Sequence, residues 1–174
     1  MRYQFMLVPA AIIASVTPAA ALKFQDLEKG QAALYPGATL TPADFTLTPE
    51  QVKQLNTEFG VPVMHPETRA WRASTGGWLF LDQVFGLNDT ITYLVAVSDK
   101  GVVTGIEVLV CVEGFCEIAT PEWKGQFTGK RHGKGDLIAE TRQISGSTLS
   151  TMHITEGVKK LLAIDALYLK GRKK

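Results

Sequence analysis

The chain has 174 residues, 45% of them hydrophobic, which suffices for one packed domain and is too few for two comfortable ones. Its 18 basic and 17 acidic residues are interspersed and leave a net charge of +1, which excludes a nucleic-acid surface or a site built for strongly acidic ligands.

The chain opens with Met1-Arg2-Tyr3-Gln4, an apolar run from Phe5 to Val16, and a small-residue close, Thr17-Pro18-Ala19-Ala20-Ala21. One positive charge, a short greasy core and an Ala-x-Ala ending are the parts of a secretory signal, residues 1–21, with the cut expected after Ala21. The alternative is an uncleaved anchor, against which stand the shortness of the run and the prolines at 9 and 18. No cysteine follows the expected cut, which argues against a lipoprotein. The mature protein is therefore expected in the periplasm or another extracytoplasmic compartment, free or membrane-associated.

Residues 22–75 read as an N-terminal helical region. Lys23 to Tyr35 has Phe24, Leu27 and Leu34 on one side of a short helix that ends before Pro36-Gly37, and Ala38 to Leu47 is less regular. Thr48-Pro49-Glu50-Gln51 is a helix entrance, with Thr48 as cap, Pro49 in the first turn and Gln51 reaching back as a capping box. Val52, Leu55 and Phe59 supply the apolar stripe, and Gly60 and Pro62 end it.

From Trp71 the period becomes that of strands. Trp78 to Phe85, Thr90 to Val97 and Val102 to Val110 are separated by turn compositions, Gly86-Leu87-Asn88-Asp89 and Ser98-Asp99-Lys100-Gly101, so they are expected to pair antiparallel. In the third strand Val102, Ile106, Val108 and Val110 are expected to face one way, and Val103, Gly105, Glu107 and Leu109 the other. Apolar residues on both sides imply that one face packs on helices and the other is at least partly covered. Glu117-Ile118 reads as a short return strand, and Cys111 and Cys116 fit a disulfide across a hairpin base, which oxidation outside the cytoplasm favours. A redox-active pair is the alternative, although the spacing is not Cys-x-x-Cys. The fold class is α+β, a small antiparallel sheet packed against helices in a single domain.

Ile144-Ser145-Gly146-Ser147-Thr148-Leu149-Ser150-Thr151 runs into a helical stripe of Ile154, Val158, Leu161, Leu162 and Leu167. Hydroxyl residues there satisfy the free amides of a first turn, and a cap alone explains them. The sharper reading is a phosphate site, because a helix start combines unpaired N–H groups with about half a positive charge. A threonine in that position can also be esterified.

The weaker candidates are the basic, glycine-rich loop Lys130 to Asp136, the three histidines His65, His132 and His153, and the tail Lys170 to Lys174. The histidines have no metal-ligand spacing with cysteines or acids, so no metal is expected. Ser145 or Ser147 as a hydrolase nucleophile lacks a Gly-x-Ser-x-Gly elbow and evident His/Asp partners.

Ser145-Gly146-Ser147-Thr148 resembles the Ser-Gly-Ala-Thr motif of the FMN-binding domain family of extracytoplasmic electron carriers, which includes covalently flavinylated subunits of ion-pumping quinone reductases. Also similar are Leu79 to Gly86, Thr92 to Val95, the Asp99-Lys100-Gly101 turn, the Pro121-Glu122-Trp123-Lys124-Gly125-Gln126-Phe127-Thr128-Gly129-Lys130 segment and Gly157-Val158-Lys159. Ser147 stands where the family usually has Ala, and Arg142 where it commonly has Asp. The resemblance implies an FMN-binding domain over 76–170, flavin attached through a phosphoester to Thr148, and Ser145, Gly146, Ser147, Leu149 and Ser150 around that phosphate. Trp78, Glu113, Trp123 and His153 are the candidate ring contacts. The implied partners are a flavin transferase for maturation and a membrane-bound redox protein or complex. The implied role is that of an electron carrier rather than a stand-alone enzyme. A flavin-free binding or assembly module of the same fold, or a reversible FMN binder, is the alternative.

Overall fold

The structure is a computed structural model that describes residues 22–23, 26–87, 89–111 and 116–169. The signal segment, Glu113 and the basic tail lie outside the described residues. Seven strands form the sheet: β1 (Leu22–Lys23), β2 (Leu40–Pro42), β3 (Phe45–Thr46), β4 (Glu67–Ala73), β5 (Trp78–Phe85), β6 (Thr90–Val97) and β7 (Val103–Cys111). Its order is β1-β7-β6-β5-β4-β2, with β3 paired to β4 beside β2, and every pair is antiparallel. The fold is thus a single-domain α+β arrangement.

The helices are α1 (Leu27–Leu34), α2 (Pro49–Glu58), α3 (Pro121–Gly125), α4 (Leu137–Glu140) and α5 (Thr148–Ile164). One sheet face packs Phe80, Tyr93, Val95, Ile106 and Val108 against Ile154, Val158 and Leu161 of α5, and this is the larger core. The other face packs Trp71, Leu79, Leu94 and Leu109 against Leu27, Leu34 and Tyr35. Both faces are covered, as apolar residues on both sides of the central strands require.

Four details depart from the sequence reading, each for a local reason. The stretch 22–75 supplies α1 and α2 and also four strands, three of them only two or three residues long and too short to show alternation. Glu117-Ile118 belongs to a 3-10 turn, Glu117–Ala119, because Thr120 and Pro121 start α3 directly behind it and leave no length for a strand. In β7 the pairing slips between Ala96 and Val97 and again between Thr92 and Tyr93. A bulge inverts the alternation that follows it, so Val103 joins Ile106 and Val108 in the larger core, while Leu109 and Val110 pack on the smaller one. At the end of α5 the chain continues as a π-helical turn, Asp165–Leu169, which shifts the helical phase. Leu167 is consequently exposed and Leu169 buried.

The expected capping box is present: Thr48 Oγ1 accepts from the Gln51 amide at 3.3 Å, and Gln51 Oε1 accepts from the Thr48 amide at 2.9 Å. Cys111 and Cys116 form a disulfide.

Candidate functional site

The hydroxyl-rich octet forms the start of α5. Ile144 to Ser147 makes a tight turn, closed by the Ser147 amide on the Ile144 carbonyl at 3.0 Å, with Gly146 at φ +87°. A side chain there is strained by the backbone although nothing lies within 4 Å of where its Cβ would be, so the glycine serves the turn and leaves open space outside it. The first intrahelical bond runs from the Thr151 amide to the Ser147 carbonyl at 3.0 Å, which puts Thr148 at the first helical position. Helix starts leave their first amides without intrahelical partners and carry a partial positive charge. The Ser147 side chain makes no capping bond, and the first turn has no acidic residue to neutralise that charge.

Around this start the residues divide by exposure. Ser145, Gly146, Thr148 and Leu149 are exposed, whereas Ser147, Ser150 and Thr151 are buried. The Thr148 hydroxyl donates only a long bond, 3.4 Å, to the Ile144 carbonyl. Thr148 is thus the exposed hydroxyl within the first turn of α5 itself, Ser145 standing before the helix begins.

The loop before the turn is clamped from α3. The Trp123 indole N–H donates to the Arg142 carbonyl at 3.0 Å, and Gln126 Oε1 accepts from the Arg142 amide at 2.8 Å. Both main-chain groups of one residue are therefore held by the segment Pro121 to Lys130. Thr120 caps α3 through the Trp123 amide at 3.4 Å, and Phe127 packs edge-on against the Trp123 ring at 5.1 Å. The Arg142 side chain lies 3.3 Å from Glu122, both largely exposed, a pair that contributes at most about 1 kcal/mol.

Beyond the first turn, α5 borders a cleft of about 770 Å³ lined by Met64, His65, Arg69, Gln83, Phe85, His153 and Lys160, among others. His153 sits about 7.5 Å along the helix axis from Thr148. Its Nδ1 lies 2.6 Å from the Phe85 carbonyl; since a carbonyl can only accept, Nδ1 carries the proton. On the cleft floor Lys160 Nζ lies 2.7 Å from Asp82 Oδ1, and the Tyr93 hydroxyl donates to Asp82 Oδ2 at 2.7 Å. Complete burial, then the Asp82 charge and its hydrogen bond, push the Tyr93 phenol well above its ordinary value.

Of the sequence candidates, Ser145 to Ser150 form the helix start and His153 stands one turn farther on. Trp123 is buried and acts on the loop through Arg142. Trp78 is buried at the other end of β5, seven residues or about 23 Å of strand from Phe85, stacked on Phe80 and covered by the Arg72 guanidinium at 4.9 Å. The Lys130 to Asp136 loop is mostly exposed, but Lys130 pairs with Glu140, and His132 packs edge-on against Phe59 at 5.5 Å. Sequence reasoning missed the cleft and the Asp82–Lys160–Tyr93 cluster. Its one written signal is a charged Asp82 inside the otherwise uncharged strand Trp78 to Phe85.

Among the described residues no group of three or more His, Cys, Asp or Glu side chains is placed to hold a metal ion, and no helix is long and apolar enough to cross a membrane. Compared with protein-family models, residues 86–163 match the FMN-binding domain. A search of curated proteins returns no match.

Proposed function

Residues 86–163 are an FMN-binding domain, with FMN as the cofactor, and from that premise we propose that this protein is an exported electron carrier whose flavin is joined by a phosphoester to Thr148. The observation that supports attachment is the exposed, weakly bonded Thr148 hydroxyl at the start of a 17-residue helix. The residues present fit the group. A phosphodiester carries one negative charge, the helix start offers partial positive charge and amide donors, and the open side of Gly146 leaves room for the phosphate.

In this reading Ser145, Gly146 and Thr148 hold the phosphate at the surface, and Leu149 and Ser150 continue the turn behind it. Trp123 and Gln126 fix the approach to that turn, so the hydroxyl is presented without prior ordering of the loop. Bound flavin supplies one- and two-electron chemistry, while the protein sets its exposure and orientation. A covalent tether suits an exported carrier, since flavin lost outside the cytoplasm is diluted. A secretory segment at residues 1–21 and exchange of electrons with a membrane redox component complete the proposal.

Ester formation joins the Thr148 oxygen to the FMN phosphorus: the hydroxyl proton is lost, and the P–O bond between that phosphorus and the leaving group of the transferase's activated flavin donor breaks. The intact mass of protein produced with a flavin transferase is therefore expected to exceed the polypeptide by one FMN less one water, and Thr148→Val to abolish the increase. A wild-type product of unmodified mass, or a Thr148→Val product that is still modified, would reject the assignment.

A further inference from the structure

The cleft beside α5 is also a gap in the sheet. Ladder pairing between β4 and β5 ends at Arg69↔Leu81, although β4 continues to Glu67 with β2 and β3 on its far edge, leaving Asp82 to Phe85 paired to β6 alone. The direction of the open main-chain groups follows from alternation. The Ala70 carbonyl accepts from the Ala43 amide, and the Ala70 amide donates to Asp44 Oδ1, so Ala70 points away from β5. Arg69 and Trp71 then point toward β5 and meet Leu81 and Leu79. Two residues on, the Gln83 N–H, Gln83 C=O and Phe85 N–H point into the cleft with no ladder partner among the described residues. The Phe85 carbonyl on the same edge is taken by His153. The Gln83 side chain is drawn the other way, donating to Thr92 Oγ1 at 2.9 Å, and leaves its main chain clear.

The rest of the groove suits the same occupant. The sheet's outer edges are short: β1 has two residues, and β2 has three and ends in Pro42, which are the usual ways of blocking unwanted pairing. Gln83-Val84-Phe85 has no proline, lysine or bulge. The lips carry two of the most exposed large apolar side chains among the described residues, Met64 at 81% and Phe85 at 61%. The charges lining the groove are of both signs, Glu67, Asp82 and Glu156 facing Arg69 and Lys160, so no charged ligand is favoured.

We propose that this groove binds an extended, uncharged segment of a partner protein as an added strand along Gln83 to Phe85, with one bulky apolar side chain seated between Met64 and Phe85. The donor–acceptor–donor order of the edge matches a polypeptide main chain, and the α5 wall supplies the second side, the strand-plus-helix form of peptide grooves. The α5 side of the groove begins at His153, about 7.5 Å along the helix from Thr148, and the proposal does not rest on the flavin assignment.

The test is selection of a displayed library of random peptides of about 12 residues on the full chain, followed by synthesis of the enriched sequence. Gln83→Pro removes an edge N–H that the β5–β6 ladder does not use, a place where proline is tolerated. The enriched peptide is expected to bind the Gln83→Pro variant at least about tenfold more weakly than wild type, and Met64→Asp about fivefold more weakly. Methylation of alternate peptide nitrogens should abolish binding, and the Gln83 and Phe85 amides should become protected from hydrogen exchange. Should Gln83→Pro fail to fold, Met64→Asp and the methylated peptide carry the test. No enrichment, binding indifferent to these changes, or a dimer of the chain through this edge would overturn the proposal.

Discussion

At Gly157 a single hydrogen separates a packed helix from a blocked one. A Cβ there would lie 1.9 Å from the Tyr93 hydroxyl and 3.0 Å from Asp82 Oδ2, and Tyr93 is fully buried with its hydroxyl committed to Asp82. Gly157→Ala gains about 1 kcal/mol in helix propensity but incurs overpacking of about 3 kcal/mol. A net loss of about 2 kcal/mol is expected in urea denaturation. Tyr93→Phe removes the nearest clashing atom, so the two substitutions should couple by about 1 kcal/mol in a double-mutant cycle; additivity would show that the helix yields elsewhere. Asp82→Asn removes the charge partner of a Lys160 whose side chain is only 12% exposed, and a loss of about 2–3 kcal/mol is expected. None of these contacts was legible beforehand. Asp82 and Lys160 are 78 residues apart, and only the crossing of α5 over β5 brings them together.

The start of α5 shows what can be read at the scale of an element. Its position was legible because small hydroxyl residues precede a 3.6-residue apolar period, and the three long strands were legible because their turns are marked by glycine and aspartate. The clamp from α3 was not. Trp123 reads equally as a ring-stacking residue or a core residue, and nothing in the spacing says that its N–H meets Arg142. The bulges in β7 were hidden for a related reason: a slip in pairing depends on the neighbouring strand. If the clamp presents the threonine, Gln126→Ala should leave the fold intact and slow flavin incorporation several-fold, followed by mass spectrometry over time. Trp123→Phe leaves the Arg142 carbonyl without its donor and should cost about 1 kcal/mol in stability. Equal incorporation rates in wild type and the Gln126 variant would confine the clamp to a structural role.

For the whole molecule, alkaline pH and reduction are the informative perturbations. The Tyr35 hydroxyl sits between the Val97 and Trp78 carbonyls at 2.9 and 3.2 Å, and burial, then the Asp165 charge, push its phenol up to about 12 against the opposing Arg72. Unfolded phenols ionise near 10, so between about 10 and about 12 the unfolded chain binds fewer protons than the folded one and stability falls as pH rises. Below pH 10 both states are protonated and this contribution is constant. The melting temperature is expected to fall over that window, and less steeply in Tyr35→Phe. Replacing Cys111 and Cys116 by alanine opens a small loop and should cost about 2 kcal/mol by chain entropy, read from denaturant midpoints.

The family match runs from Gly86, inside the turn between β5 and β6, to Ala163, the penultimate residue of α5. Yet β5 lies between β6 and β4 in the middle of the sheet and is the strand whose Asp82 receives Lys160. An expression clone trimmed to the matched boundaries would strip away β6's neighbour, leave Lys160 unneutralised and bare one whole flank of hydrogen-bonding groups. Such a fragment should collect in inclusion bodies. The stretch that matches the family is shorter here than the unit that folds.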